Sequence, residues 1–350
     1  MILTSNTRNE IIEFFREYVY KINQRRFIEE PFDEDKALIN SPFNFRIVPV
    51  EIWKSSKYER SFVTSTGNHY EKMSKSIGNE KWGFSERHYH KTYRIFESQF
   101  NHITTILNEL DHRDKTNPRV PNWENEKSEL DELCSGNTLE VEVISDVYLY
   151  DEENNKQCFI EIKSPKPNKD QSKVSKEKML KIYCGTNNSE IETDILFCLP
   201  FNPYGRRENY NWSFPESYFN MRLSSCVKIG DEYWNYLGKD NGFYDELLQL
   251  TDEIGIETKK KISQYIKYGF EFDEVYEKVI FRIENELELN TDIIKEIIRE
   301  THNGREDYQE LFNLINENNM SLENIIGLIN PNTEDSDETL TIPNLLPNQN

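Results

Sequence analysis

Cysteine is scarce in this chain. There are five in 350 residues, Cys134, Cys158, Cys184, Cys198 and Cys226, an odd number with no C-x-x-C spacing. That excludes a disulfide framework and a zinc knuckle, and it predicts reduced, mostly buried thiols. Long apolar runs are also missing. Nothing approaches the roughly 18 residues of a membrane span, and Met1 to Ser5 lacks the basic start and apolar core of a signal peptide. A cytoplasmic protein without a membrane partner is the expectation. Positive charge is short too, with 42 Lys and Arg against 63 Asp and Glu, a net charge of −21. This argues against nucleic-acid binding over the whole surface. A local basic groove stays open, because exposed charges are screened beyond about 8 Å. Histidines number six, and His88 and His90 form an H-x-H without a second ligand cluster, so no metal site is assigned to them. Hydrophobic content is 36% and mean hydropathy −0.80, both low, but 13% aromatics are enough for a core. The length suits one large domain or a domain with an extension.

What is present centres on residues 138 to 166. Two β-rich runs, Leu139 to Tyr150 and Lys156 to Lys163, flank the polar segment Asp151 to Asn155, which predicts a β-hairpin. Alternation along the second strand sets Phe159, Glu161 and Lys163 on one side and Cys158, Ile160 and Ile162 on the other. An acid and an amine on an apolar strand need compensation, and Asp146 on the partner strand is placed to join them. Two carboxylates and a lysine at a strand end suggest a Mg²⁺ site, since magnesium takes one or two carboxylates plus waters and phosphate. The lysine is then free to act on a water.

Asp146, followed fifteen residues on by Glu161-Ile162-Lys163, resembles the PD-(D/E)XK nuclease motif, with Ser145 where proline is expected. Other E-x-K triplets, Glu34-Asp35-Lys36 and Glu257-Thr258-Lys259, lie in polar or helical surroundings and are read as chance. Glu140 and Glu142 lie close to Asp146. Glu142 shares its strand face by parity, so which acid binds the metal stays open. Without the resemblance, the segment is also a surface hairpin with a salt-bridged edge.

Along the chain, apolar residues from Ile11 to Ile22 recur at three and four, predicting a helix over 8–25. Residues 30 to 49 show no clear period. Thr66 or Asn68 is read as the cap of a helix carrying Tyr70, Met73 and Ile77 inward, with Glu71 in its first turn. There Glu71 serves either the helix dipole or, as a further acid, the metal site. A long helix is expected over 86–110, burying Phe96, Phe100, Ile103, Leu107 and Leu110, and a short acidic one over 124–134. Prolines 165 and 167 end the catalytic strand, Asp170 is read as the cap of a lysine-rich helix to Tyr183, and 191–199 as a buried strand. This succession predicts a mixed α/β sheet flanked by helices. Residues 163 to 181 hold seven lysines (163, 166, 169, 173, 176, 178 and 181) against Asp170 and Glu177, a run suited to phosphate. In the loop Pro200 to Trp212, Arg206 and Arg207 offer donors to guanine or phosphate. A strand and two helices are read over 226–254 and further helix over 256–329, while 330–350 lacks any period and predicts disorder.

Four segments together resemble the TdeIII-type restriction endonucleases: S-K-Y-E-R-S-F-V-T-S-T-G at 56–67, E-I-K-S-P-K-P-N-K-D-Q at 161–171, F-N-P-Y-G at 201–205, and V-K-I-G-D-E-Y-W-N-Y-L-G at 227–238. They cover roughly residues 45 to 255. The resemblance implies a PD-(D/E)XK nuclease domain over 1–255 followed by a helical extension. It implies a type II enzyme that cuts double-stranded DNA with Mg²⁺, acts as a homodimer, targets GGNCC and has a DNA methyltransferase as genetic partner. Asp146, Glu161 and Lys163 take the catalytic roles, with Asp146 and Glu161 on the metal and Glu71 and Glu142 as acids of second rank. Lys166, Lys169, Lys173, Arg206 and Arg207 are the DNA-contact candidates. The rival readings are a repair or junction-resolving nuclease of the same fold and an inactive DNA-binding protein.

Overall fold

A computed structural model describes residues 3–111 and 119–268. The expected extension over 256–329 and the tail over 330–350 lie outside it from residue 269 onward. The chain divides into two compact units, Met1–Ile22 with Phe32–Thr258, and Asn23–Pro31 with Lys259–Asn350. In the second, the described residues include a π-helical turn, Arg25–Glu29. Among the described residues no helix is long and apolar enough to cross a membrane.

The first unit opens with the amphipathic helix α1 (Ser5–Gln24). Two short helices follow in the segment that lacked a period: α2 (Glu34–Asn40), capped by the Asp33 side chain on Lys36 N–H, and α3 (Asn44–Ile47). The next helix, α4 (Val50–Trp82), is a single rod of 33 residues, about 50 Å long. Thr66 and Asn68 lie inside it and cap nothing, and Glu71 is in its interior rather than its first turn. Met73 and Ile77 are buried as expected. Gly78 lets the rod touch the sheet, since a Cβ there would come within 2.5 Å of Leu149 and 2.8 Å of Ser85.

Strand β1 (Phe84–Phe96) stands where the long helix was expected, and α5 (Glu97–Asp111) supplies only its second half. Phe100, Ile103, Leu107 and Leu110 do follow a helical period, but Tyr89, Tyr93 and Ile95 share a strand's period of two. Partners about fifty residues later complete that strand. After α6 (Trp123–Asp131) come β2 (Thr138–Asp151) and β3 (Lys156–Ile162), the predicted antiparallel hairpin. Helix α7 (Lys169–Thr186) crosses to β4 (Glu192–Leu199), parallel to β3. Its cap is Asn168, in a reciprocal capping box with Gln171, and not Asp170. The short α8 (Ser213–Glu216), β5 (Val227–Ile229), α9 (Asp231–Gly238) and α10 (Phe243–Tyr268) complete the described chain.

The five strands lie in the order β1-β2-β3-β4-β5, antiparallel through β3 and parallel after it. Ile103, Ile106 and Leu107 of α5, Trp123 of α6 and Met179 and Ile182 of α7 cover one face. Ile11 of α1, Met73 and Ile77 of α4, Trp234 of α9 and Leu250 of α10 cover the other. The mixed sheet flanked by helices is the architecture that the strand and helix succession predicts. Cys158, Cys184, Cys198 and Cys226 are buried free thiols, while Cys134 is exposed.

Candidate active site

Strand alternation puts Phe159 into the core under α7, and Cys158, Ile160 and Ile162 into the core under α4. Glu161 therefore faces α7, as the parity of the strand predicts. The hairpin ladder runs from Asp151 opposite Lys156 to Val147 opposite Ile160. At the next step the Asp146 side chain replaces the main chain, its Oδ2 accepting the Ile162 N–H at 2.8 Å. Lys163 Nζ donates to Asp146 Oδ2 at 2.8 Å, to Glu161 Oε2 at 3.2 Å and to the Ile162 carbonyl at 3.0 Å. One ammonium thus bridges the two predicted carboxylates.

Glu161 is 1% exposed. Burial pushes its carboxyl up, and the charge of Asp146 adds to this against the pull of Lys163 and Lys178. Burial also works against the Lys163 ammonium, but Glu161 and Asp146 outweigh it and hold its pKa above the ordinary lysine value. Lys163 is therefore a fixed positive charge at neutral pH.

A break in strand alternation brings the two acids onto one face. In β2, Val141 and Val143 pack under α5 and α7, whereas Val147 and Leu149, of the same parity, pack under α4. In β1, Arg87 reaches Glu71 of α4, and Tyr93 and Ile95 pack on the α7 side. Both strands exchange faces at one level. The register passes from Arg87 opposite Val147 to Tyr89 opposite Ser145, and the step skipped is His88 opposite Asp146. His88 has φ of 52°, a left-handed conformation that strains any residue with a Cβ. Parity therefore fails across this level. Asp146 turns toward α7, and Glu142 stays on the far face, its side chain 65% exposed and hydrogen-bonded to His90 at 3.1 Å. Glu71 is on α4, which covers that other face, and accepts from Arg87 at 2.8 Å. The expected sharing of a face by Glu142 and Asp146 is thus corrected, and neither second-rank acid joins the pair. Among the described residues, no group of three or more His, Cys, Asp and Glu side chains converges as a metal cage.

The lysine run is largely neutralised from within. Lys169 and Lys173 both bind Asp111, whose carboxyl they hold well below the usual range, with Tyr218 as a third donor. Lys176 is buried against Glu126 between Trp123 and Phe219, and Lys181 pairs with Glu177. Lys166 remains exposed, its Nζ 5.5 Å from the Tyr204 ring and 5.6 Å from that of Trp212. The loop carrying those rings is tied to the exit of β3: Tyr210 donates to the Pro165 carbonyl at 2.9 Å and Trp212 to that of Pro167 at 2.8 Å. The two arginines separate. Arg206 is exposed, whereas Arg207 donates to the Met221 and Ser224 carbonyls at 2.9 and 2.6 Å and to Glu232 at 2.7 Å. One residue was not singled out from sequence. Lys178 on α7 donates to both oxygens of Glu161, at 3.0 and 3.2 Å. Ser175, three residues before it, and Ile182, four after it, are buried, which is the signal that it points toward the sheet.

The family model "HinfI: Type II restriction endonuclease, HinfI" matches residues 7–255, which include every element of this site. The chain belongs to the HinfI family of type II restriction endonucleases. Type II restriction enzyme HgiCII of Herpetosiphon aurantiacus is 26% identical over 276 residues, 75% of this chain and 99% of that enzyme. HgiEI of the same organism is 25% identical over 276 residues, 75% of this chain and 98% of that enzyme. MjaII of Methanocaldococcus jannaschii is 26% identical over 252 residues, 63% of this chain and 64% of that enzyme. No solved structure matches the chain. What this family and these relatives share with the expected TdeIII-type enzymes is the type II restriction class.

Proposed function

We propose that this member of the HinfI family cuts double-stranded DNA at a specific sequence, dependent on a divalent cation, with Asp146, Glu161 and Lys163 as a PD-(D/E)XK set. The observation that carries the reading is the convergence of those three side chains at one strand end. The donor set suits Mg²⁺. Asp146 and Glu161 offer hard oxygens close enough to share one ammonium, and the site disfavours their joint negative charge. They are the residues that would hold the ion, with water and phosphate completing its shell. Bound there, Mg²⁺ supplies Lewis-acid polarisation of the phosphoryl oxygen and a lowered pKa for a bound water.

The chain's own groups do the rest. Ile162 N–H and Lys163 fix the Asp146 carboxylate, so the acids are set before DNA arrives. Lys163 Nζ, its three N–H groups taken by Asp146, Glu161 and the Ile162 carbonyl, offers its positive charge to the scissile phosphate as negative charge builds up there. Water adds to phosphorus and the bond to the 3′ oxygen breaks, leaving a 5′-phosphate and a 3′-hydroxyl. Lys166 and Arg206, exposed beside the exit of β3 and in the loop tied to it, are the contacts to DNA that this reading favours. Action as a homodimer, a GGNCC target and a companion DNA methyltransferase belong to the same proposal, through the resemblance to TdeIII-type enzymes.

The test is digestion of plasmids of known sequence with Mg²⁺. Discrete fragments mapping to one short sequence, absent with Lys163→Ala, are expected. Cutting confined to branched or ended substrates would move the chain to a repair or junction nuclease, and no cutting would reduce it to a binding protein.

A further inference from the structure

Lys178 is one of five lysines on α7, and the other four have acidic partners elsewhere: Lys169 and Lys173 on Asp111, Lys176 on Glu126, Lys181 on Glu177. Lys178 turns into the acid pair. It reaches Glu161 Oε1 at 3.0 Å and Oε2 at 3.2 Å, so it sets the plane of a carboxylate whose side chain is 2% exposed. Lys163 takes Oε2 as well, but it is also held by Asp146 and by the Ile162 carbonyl. Lys178 has no such second anchor among the described residues, and with a side chain 28% exposed it has a route to solvent.

Charge balance limits what this site can hold. Asp146 and Glu161 against Lys163 and Lys178 make a neutral quartet. A divalent cation added to it would leave two excess positive charges in a partly buried site, where like charges repel more strongly than in water. One ammonium must leave the carboxylate oxygens, and Lys178 is the one free to do so.

We propose that Lys178 is a positioning residue for the Glu161 carboxylate and a placeholder for the divalent cation. In the metal-free enzyme it holds the Glu161 carboxylate in place beside Asp146, and it yields those oxygens to the divalent cation. This rests on the reading that Asp146 and Glu161 hold the ion. Lys178 then stands released at the mouth of the site with its charge available to a DNA phosphate.

The test uses full-length protein without DNA, and Ca²⁺ as the probe. Lys178→Met removes the competitor, and calorimetric titration should show Ca²⁺ binding about tenfold tighter than in wild type. Lys178→Arg, which keeps the charge, should restore wild-type affinity. The metal-free Lys178→Met protein should melt several degrees lower and recover in Ca²⁺. Wild type gives an independent reading through amine acylation followed by mass spectrometry, where labelling at Lys178 should rise several-fold on adding Ca²⁺. Affinity in Lys178→Met equal to or weaker than wild type overturns the proposal. So does Lys178 labelling in wild type that does not respond to Ca²⁺, which decides the matter if Lys178→Met does not fold. The parent reading fails separately, if wild type binds no Ca²⁺ or if Glu161→Gln binds it equally well.

Discussion

Replacing Lys163 by methionine removes the one group that bridges both acids while keeping the aliphatic volume. Asp146 Oδ2 loses one of two donors, keeping the Ile162 N–H, and Glu161 Oε2 loses one of two, keeping Lys178. The Glu161 side chain is 2% exposed and cannot rehydrate in place, whereas that of Asp146 is 17% exposed and can do so in part. Removing one partner of a buried ion pair costs about 3–5 kcal/mol, and because Lys178 stays on Glu161 the lower end, about 3 kcal/mol, is expected here. The loss should be largest near neutral pH. It should shrink as pH falls through the carboxyl range, because protonated acids no longer need the ammonium. Saturating Ca²⁺ should recover most of it. In cleavage, a missing positive charge beside the phosphoryl oxygens should lower turnover by about 10²–10³-fold. Binding to the cognate duplex in Ca²⁺ should stay within a few-fold of wild type. Urea unfolding with and without Ca²⁺, plasmid nicking and duplex binding measure the three effects. Nicking by Lys163→Met at close to the wild-type rate refutes the catalytic role, and unchanged metal-free stability refutes the bridge.

Asp146→Asn and Glu161→Gln should each lose Mg²⁺-supported cleavage, because amides are poorer ligands for a hard cation. Glu142→Gln, altering an exposed acid on the far face, should cut normally, and a dead Glu142→Gln beside an active Asp146→Asn would reverse the choice of first acid. Arg207→Ala should destabilise the protein by about 2 kcal/mol by taking the side-chain donor from the Met221 and Ser224 carbonyls and from Glu232, the Ser224 carbonyl keeping only its 3.3 Å bond from Val227 N–H. Arg206→Ala should leave the melting point alone and weaken DNA binding, with loss on the cognate duplex alone marking base readout and equal loss on every duplex marking phosphate contact. His88→Gly should raise stability by about 0.5–1 kcal/mol by relieving the left-handed backbone opposite Asp146, and a lowered melting point would contradict that account. His69 is 8% exposed and packs at a tilt against the Tyr18 ring, and burial, aided by Lys72, pushes its pKa down from 6.5 to about 4. The folded form thus binds fewer protons than the unfolded below pH 6.5, so stability falls as pH drops through that value. From pH 7 to 5 the loss should be about 2 kcal/mol, and His69→Phe should abolish that part of the pH dependence.

The sequence by itself determined the hairpin, the side of β3 on which Glu161 lies, the helix that follows and the strand after it. Each rests on a local property: a period of two in a β-branched run, a polar turn, prolines that end a strand. Three things were decided by tertiary structure. Residues 84–96 became a strand because partners from Thr138 to Tyr150 complete them, and no local window contains both. Glu142 and Asp146 parted company because β1 and β2 exchange faces together at His88, a rotation that parity counted along one strand cannot register. The lysine run, which reads in sequence as an excess of positive charge, proved mostly paired, with Asp111 about sixty residues from Lys173 and Glu126 fifty from Lys176. Composition counts charges, but Coulomb energy depends on which ones meet, and folding sets those distances. Of that run it was the fold that turned Lys178 onto Glu161 and left Lys166 at the surface.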